Sequence, residues 1–127
     1  MNAAKALWAL FLLAIPASTA ATDVDPYYLP AVPAEYLGRW NVDARSCATF
    51  SGRYRLLLHP KGMTLGGDSF RASYVGFNPQ GDGIVISSDY VGPAKSWQRT
   101  DFFKLEKGGQ VLVGGRWAKP IRRMRCR

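Results

Sequence analysis

The sequence predicts an all-β fold: a small closed or nearly closed antiparallel β-barrel of about eight strands, carrying one disulfide. Three observations lead there. Short segments with period-two alternation recur along the chain, separated by Gly, Pro, Asn and Asp. No segment holds a 3.6-residue period over three turns. Eight strands of roughly six residues joined by roughly four-residue turns need about 80 residues, close to what lies between Gly38 and Arg127. A closed meander also removes the exposed edges of an open sheet.

The strands are expected in this order. Arg39 to Asp43 alternates polar and apolar, and Arg53 to Leu58 follows. His59-Pro60-Lys61-Gly62 is a turn, after which Met63 to Leu65 extends. Gly66-Gly67-Asp68 breaks the chain before Phe70 to Phe77, and Asn78 to Gly83 ends that strand. Ile84 to Ile86 comes next, and Gly92-Pro93 marks another break. Ser96 to Leu105 is the longest alternating run. One face carries Trp97, Arg99, Asp101, Phe103 and Leu105 and the other Ser96, Gln98, Thr100, Phe102 and Lys104. Neither face is cleanly apolar, so a bulge or register change is expected there. Gln110 to Val113 and Ile121 to Cys126 complete the set, the last with Arg122, Met124 and Cys126 on one side. Trp40, Trp97, Phe103 and Tyr54 are expected to fill the barrel.

Residues 1–21 read as a secretory leader. Lys5 gives a positive start, Ala6 to Ile15 is apolar, Pro16 breaks the run, and Ala17 to Ala21 offers small residues for cleavage near Ala20 or Ala21. Ten apolar residues are too few to span a bilayer core of about 30 Å as a helix, and nothing later is apolar enough to do so. The expected product is a soluble, monomeric, periplasmic or secreted bacterial protein. Residues 22–36 form a Pro-rich arm: three prolines between Pro26 and Pro33 favour an extended, PPII-like path, with one helical turn over Ala34 to Leu37. The barrel domain occupies 37–127.

Cys47 and Cys126 are the only cysteines. In an oxidising compartment such a pair reads as one disulfide. It closes a loop of 79 positions, for which chain entropy gives at most about 4–5 kcal/mol. Metal ligation fails on count, since two thiols and His59 are scattered without short spacing. No metal and no cofactor are expected.

Leu37-Gly38-Arg39-Trp40 carries a G-x-W signature. It resembles the opening of the first strand of calycin-type (lipocalin-like) barrels. The resemblance implies that Trp40 closes one barrel end and that an arginine of the last strand, from Arg122, Arg123 and Arg125, packs on it by cation–π contact. Leu29 to Trp40 is also similar to the arm and first strand of small periplasmic inhibitors of secreted metalloproteases. That resemblance implies that Thr22 to Leu29 enters an enzyme cleft. The mature chain looks like exported, mostly uncharacterised bacterial calycin-like domains with a G-x-W opening, a Cys soon after and another near the end.

The catalytic inventory is thin. His59 is the single histidine and Glu35 and Glu106 the only glutamates, so a ribonuclease-type base, acid and arginine set has little to draw on. Nucleophile-elbow, metalloprotease, P-loop and dinucleotide motifs are missing. Charge is distributed unevenly. The formal net charge is +8. Loss of Lys5 with the leader leaves +7, all of it matched by the seven basic residues that follow Glu106, the last acid. Arg116, Lys119, Arg122, Arg123 and Arg125 are therefore a candidate basic patch for an anionic envelope component; export argues against nucleic acid. Tyr27, Tyr28 and Leu29 are the candidate partner-binding residues of the arm. The leading expectation is an exported, non-enzymatic binding protein acting as a periplasmic protease or lysozyme inhibitor through its arm. A polyanion or envelope binder using the basic C-terminal segment is the second. A small secreted hydrolase or ribonuclease using His59 is the third.

Overall fold

Eight antiparallel strands close on themselves in sequence order, each bonded to the next and β8 to β1. The computed structural model describes residues 24–93, 96–116 and 118–127, so the leader, Thr22 and Asp23 lie outside the described residues. The strands are β1 (Gly38–Asn41), β2 (Leu56–His59), β3 (Gly62–Leu65), β4 (Asp68–Phe77), β5 (Ile84–Val91), β6 (Gln98–Glu106), β7 (Val111–Gly115) and β8 (Ile121–Arg125). The predicted class is the observed one.

Two local features depart from the sequence reading. A six-residue helix, α1 (Ala44–Thr49), follows β1. Asp43 caps it by accepting a bond from the Ser46 amide at 2.7 Å, and Phe50 ends it in the left-handed conformation (φ 45°). The expected bulge falls in β4, where the register shifts between Ala72 and Tyr74. β6 instead pairs without interruption with β5 and β7. Gly114 lets β7 approach β6 closely, because a Cβ there would strike the Phe102 carbonyl.

Inward-facing residues fill the barrel: Trp40, Leu56, Leu58, Met63, Phe70, Val75, Ile84, Ile86, Phe103 and Leu112 are all buried. One end is closed. The arm runs across it, with a bridge between Tyr28 and Gly76. The Leu29 amide donates to the Val75 carbonyl (2.8 Å), the Phe77 amide to that of Tyr27 (2.8 Å) and the Val32 amide to that of Pro60 (3.0 Å). Val32 and Tyr36 join the core, and Ala34–Tyr36 is the predicted helical turn, of 3-10 type. Trp40 donates its indole N–H to the Tyr36 carbonyl at 3.0 Å, and the Arg125 guanidinium lies 4.3 Å above its ring. An arginine of the last strand does stack on Trp40, and it is Arg125. Its remaining donors hold the carbonyls of Gly109, Leu37 and Glu35 at 3.1, 2.9 and 2.8 Å.

The Cys47–Cys126 disulfide is formed. Since Arg122 and Met124 face outward on β8, Cys126 follows them and fastens α1 to the outside of the β1–β8 seam. Arg39 continues this outer layer, its guanidinium 4.5 Å over Phe50.

Candidate functional site

The end opposite the arm is open. There the first residues of β2, β6 and β8 and the last of β3 and β7 surround a cavity of about 230 Å³. Its walls differ in chemistry. Leu56, Met63, Leu65, Phe103 and Ile121 are apolar, while Arg99, Asp101 and Arg123 are charged, with Arg53, Tyr54, Arg116 and Lys119 around the rim.

The charged wall arises from strand parity. Arg99 and Asp101 are two apart on β6, and both point inward with Phe103. Arg99 grips Asp101 with two parallel bonds, Nε to Oδ2 and Nη2 to Oδ1, each 2.8 Å. The Asp101 side chain is 1% exposed and that of Arg99 11%. Arg99 also lies 5.4 Å over the Phe70 ring. This pair is why neither face of β6 reads as apolar.

Arg123 is the second inward cation, 3% exposed. Its Nε donates to the Tyr54 carbonyl at 2.8 Å, and this is the only hydrogen bond of its guanidinium among the described residues. Both oxygens of Asp101 are already held by Arg99. Burial pulls the Arg123 pKa down to about 10; nearby Asp101 partly opposes the shift and Arg99 adds to it. Arg123 therefore remains a cation at neutral pH, without a carboxylate of its own. Among the described residues the interior holds two positive charges, Arg99 and Arg123, and one negative, Asp101.

The loop that presents Tyr54 is itself fixed. Asn41, 1% exposed, donates its amide to the carbonyls of Ser46 and Ser51 at 3.2 and 2.8 Å. Its oxygen accepts from the Val42 amide at 2.9 Å. Arg53 donates to the Tyr54 hydroxyl at 2.7 Å and stacks on its ring. On the far side of the mouth, Trp97 stacks on Tyr90 and meets Phe70 edge-on. It is 39% exposed, so it caps the rim where the sequence suggested it would fill the barrel. Tyr54 is likewise a half-buried rim residue.

The predicted basic patch is dispersed. Arg123 points into the barrel and Arg125 onto Trp40. Arg122 bonds Glu106 across the surface at 2.8 Å. Arg116 and Lys119 alone of the five stand at the mouth as exposed residues. Strand parity separates neighbours: β8 turns alternate side chains inward, so Arg122 faces away from Arg123. The predicted arm residues are not a free segment. Leu29 packs on the core, Tyr28 contacts Tyr74, and Asp25 accepts the Tyr74 hydroxyl at 2.8 Å. Tyr27 and Tyr28 keep 41% and 57% of their surface. His59 ends β2 at the closed end, whereas Asp68 and Asp89 sit at the opposite rim. Sequence reasoning missed Arg99 and Asp101 as site residues; opposite charges two apart on an otherwise apolar strand face were the available sign.

Among the described residues no helix is long and apolar enough to cross a membrane, and no group of three or more His, Cys, Asp and Glu could hold a metal ion. The chain matches no protein-family model, no curated protein and no solved structure.

Proposed function

We propose that this protein is an exported, non-enzymatic binding protein that takes an anionic ligand in the open mouth of its barrel. The observation that carries the reading is Arg123. A guanidinium at 3% exposure has given up most of its hydration, and such groups are ordinarily paired. Here the adjacent carboxylate is already neutralised by Arg99, and a cavity lies beside the uncompensated cation. An anion seated there restores the balance. Arg53, Arg116 and Lys119 around the rim add a positive potential that draws anions in. The disulfide and the leader-like residues 1–21 support a periplasmic or secreted location. The docked arm gives the cleft-insertion reading no comparable support, because its backbone bonds to β4 would have to break.

The test is the melting temperature of the oxidised protein in sodium acetate, benzoate and phosphate at matched ionic strength. A bound anion stabilises by RT ln(1 + [L]/Kd), about 2.7 kcal/mol at a hundredfold excess over Kd. At least one salt should raise the melting temperature by several degrees in the native protein and leave Arg123→Met unmoved. Equal shifts in both proteins would refute the site.

A further inference from the structure

Resting on that reading, we infer that the ligand is a small monocarboxylate on a compact apolar body, its carboxylate on the Arg123 fork and its body against Leu56, Met63, Leu65, Phe103 and Ile121. Charge fixes the first property. Arg99 and Asp101 cancel, which leaves one buried guanidinium to pair with one negative charge; a second charge would have to reach the rim, where Arg53, Arg116 and Lys119 stand exposed to water. Geometry fixes the head group. Tyr54 occupies Nε, leaving the Nη edge, whose parallel N–H groups match the two oxygens of a carboxylate. The walls fix the body, since the side of the cavity formed by β2 and β3 presents Leu56, Met63 and Leu65 and no polar side chain.

Size fixes the rest. The cavity, about 230 Å³, lies below the roughly 300–1,000 Å³ typical of drug-sized ligands. Trp40, Leu58, Ile86 and Leu112, at 0–1% exposure, fill the barrel below the cavity, so among the described residues no channel continues through the barrel interior for a long acyl chain. The ligand is therefore a short branched or aromatic acid rather than a lipid.

Calorimetric titration of the oxidised protein with five probes tests this: phenylacetate, its neutral analogue phenylacetamide, acetate, inorganic phosphate and hexadecanoate. Phenylacetate should bind at least tenfold more tightly than each of the others. Arg123→Met should lose that binding. Ile121→Trp, which narrows the apolar wall and leaves every charge in place, should lose it too, so the outcome does not hang on one variant's folding. Acetate or phosphate binding as tightly as phenylacetate would overturn the apolar body while leaving an anion site. Tighter hexadecanoate would overturn the size limit. Phenylacetamide matching phenylacetate, or no binding by any probe, would overturn this inference and the anion site together.

Discussion

Arg123, Arg99 and Asp101 show how a buried charge set can be worth little to the fold and much to a site. Replacing Arg123 by Met removes a desolvated cation and keeps much of its volume, so stability should be unchanged or improved. Chemical denaturation would check this, and a loss of more than 2 kcal/mol would contradict it. Asp101→Ala should do the reverse. It strips Arg99 of its partner and leaves two buried cations facing each other, at a cost of about 3–5 kcal/mol. Ser88, fully buried with no partner for its hydroxyl among the described residues, should gain about 1 kcal/mol on replacement by Ala. The pH dependence has a definite sign. Burial lowers the Arg123 pKa to about 10; below that value the residue is charged, and a simple carboxylate is ionised above about pH 5. Carboxylate affinity should therefore be flat between about pH 6 and 9 and weaken on both sides, as calorimetry across that range would record. At this scale the sequence was only partly legible. The mixed face of β6 signalled something other than a plain core strand. That Arg123 would meet a backbone carbonyl 69 residues away could not be read, because loop conformation decides it.

At the scale of elements, the strand order was legible because period-two alternation and Gly or Pro breaks are local properties. What escaped was short or irregular. Six residues are too few to display helical periodicity, and α1 is set by its Asp43 cap and by the disulfide. The β4 shift between Ala72 and Tyr74 puts both Phe70 and Val75, five residues apart, in the core, a pattern that sequence alternation alone would assign to opposite faces. The Pro-rich composition marks the arm off from the barrel, and in the fold it acts as a strap. Val32 is buried, and burying a Val side chain is worth about 1.5–3 kcal/mol. Removing residues 22–33 should therefore lower the denaturation midpoint and expose Val75 and Tyr36, detectable as dye binding to apolar surface. Unchanged stability would show that the strap is dispensable.

At the scale of the whole molecule, the fold disperses charge that the sequence concentrates near its end. Seven basic residues follow Glu106; the barrel sends Arg123 inside, Arg125 to its closed end and Arg122 to a surface ion pair. The Arg122–Glu106 pair is exposed, 55% and 33% by side chain, and worth at most about 1 kcal/mol. Arg122→Ala should accordingly leave ligand affinity unchanged, whereas Arg116→Ala and Lys119→Ala should slow association and flatten its salt dependence in stopped-flow measurements.

The barrel closes on a short seam, Trp40 with Arg125 and Asn41 with Met124, extended by the Cys126 amide donating to the Arg39 carbonyl at 2.8 Å, and the Cys47–Cys126 bond crosses at its end. Under mechanical load this arrangement matters. A pull on Arg127 reaches the sulfur bridge one residue in and passes directly to α1, so β8 is bypassed and its hydrogen bonds carry little of the tension. Once the bridge is reduced, the same pull falls on the seam end-on and peels β8 away one pair at a time. Force spectroscopy from the C-terminus should then show a single high rupture force in the oxidised protein and a much lower one in the reduced protein, with β8 released first.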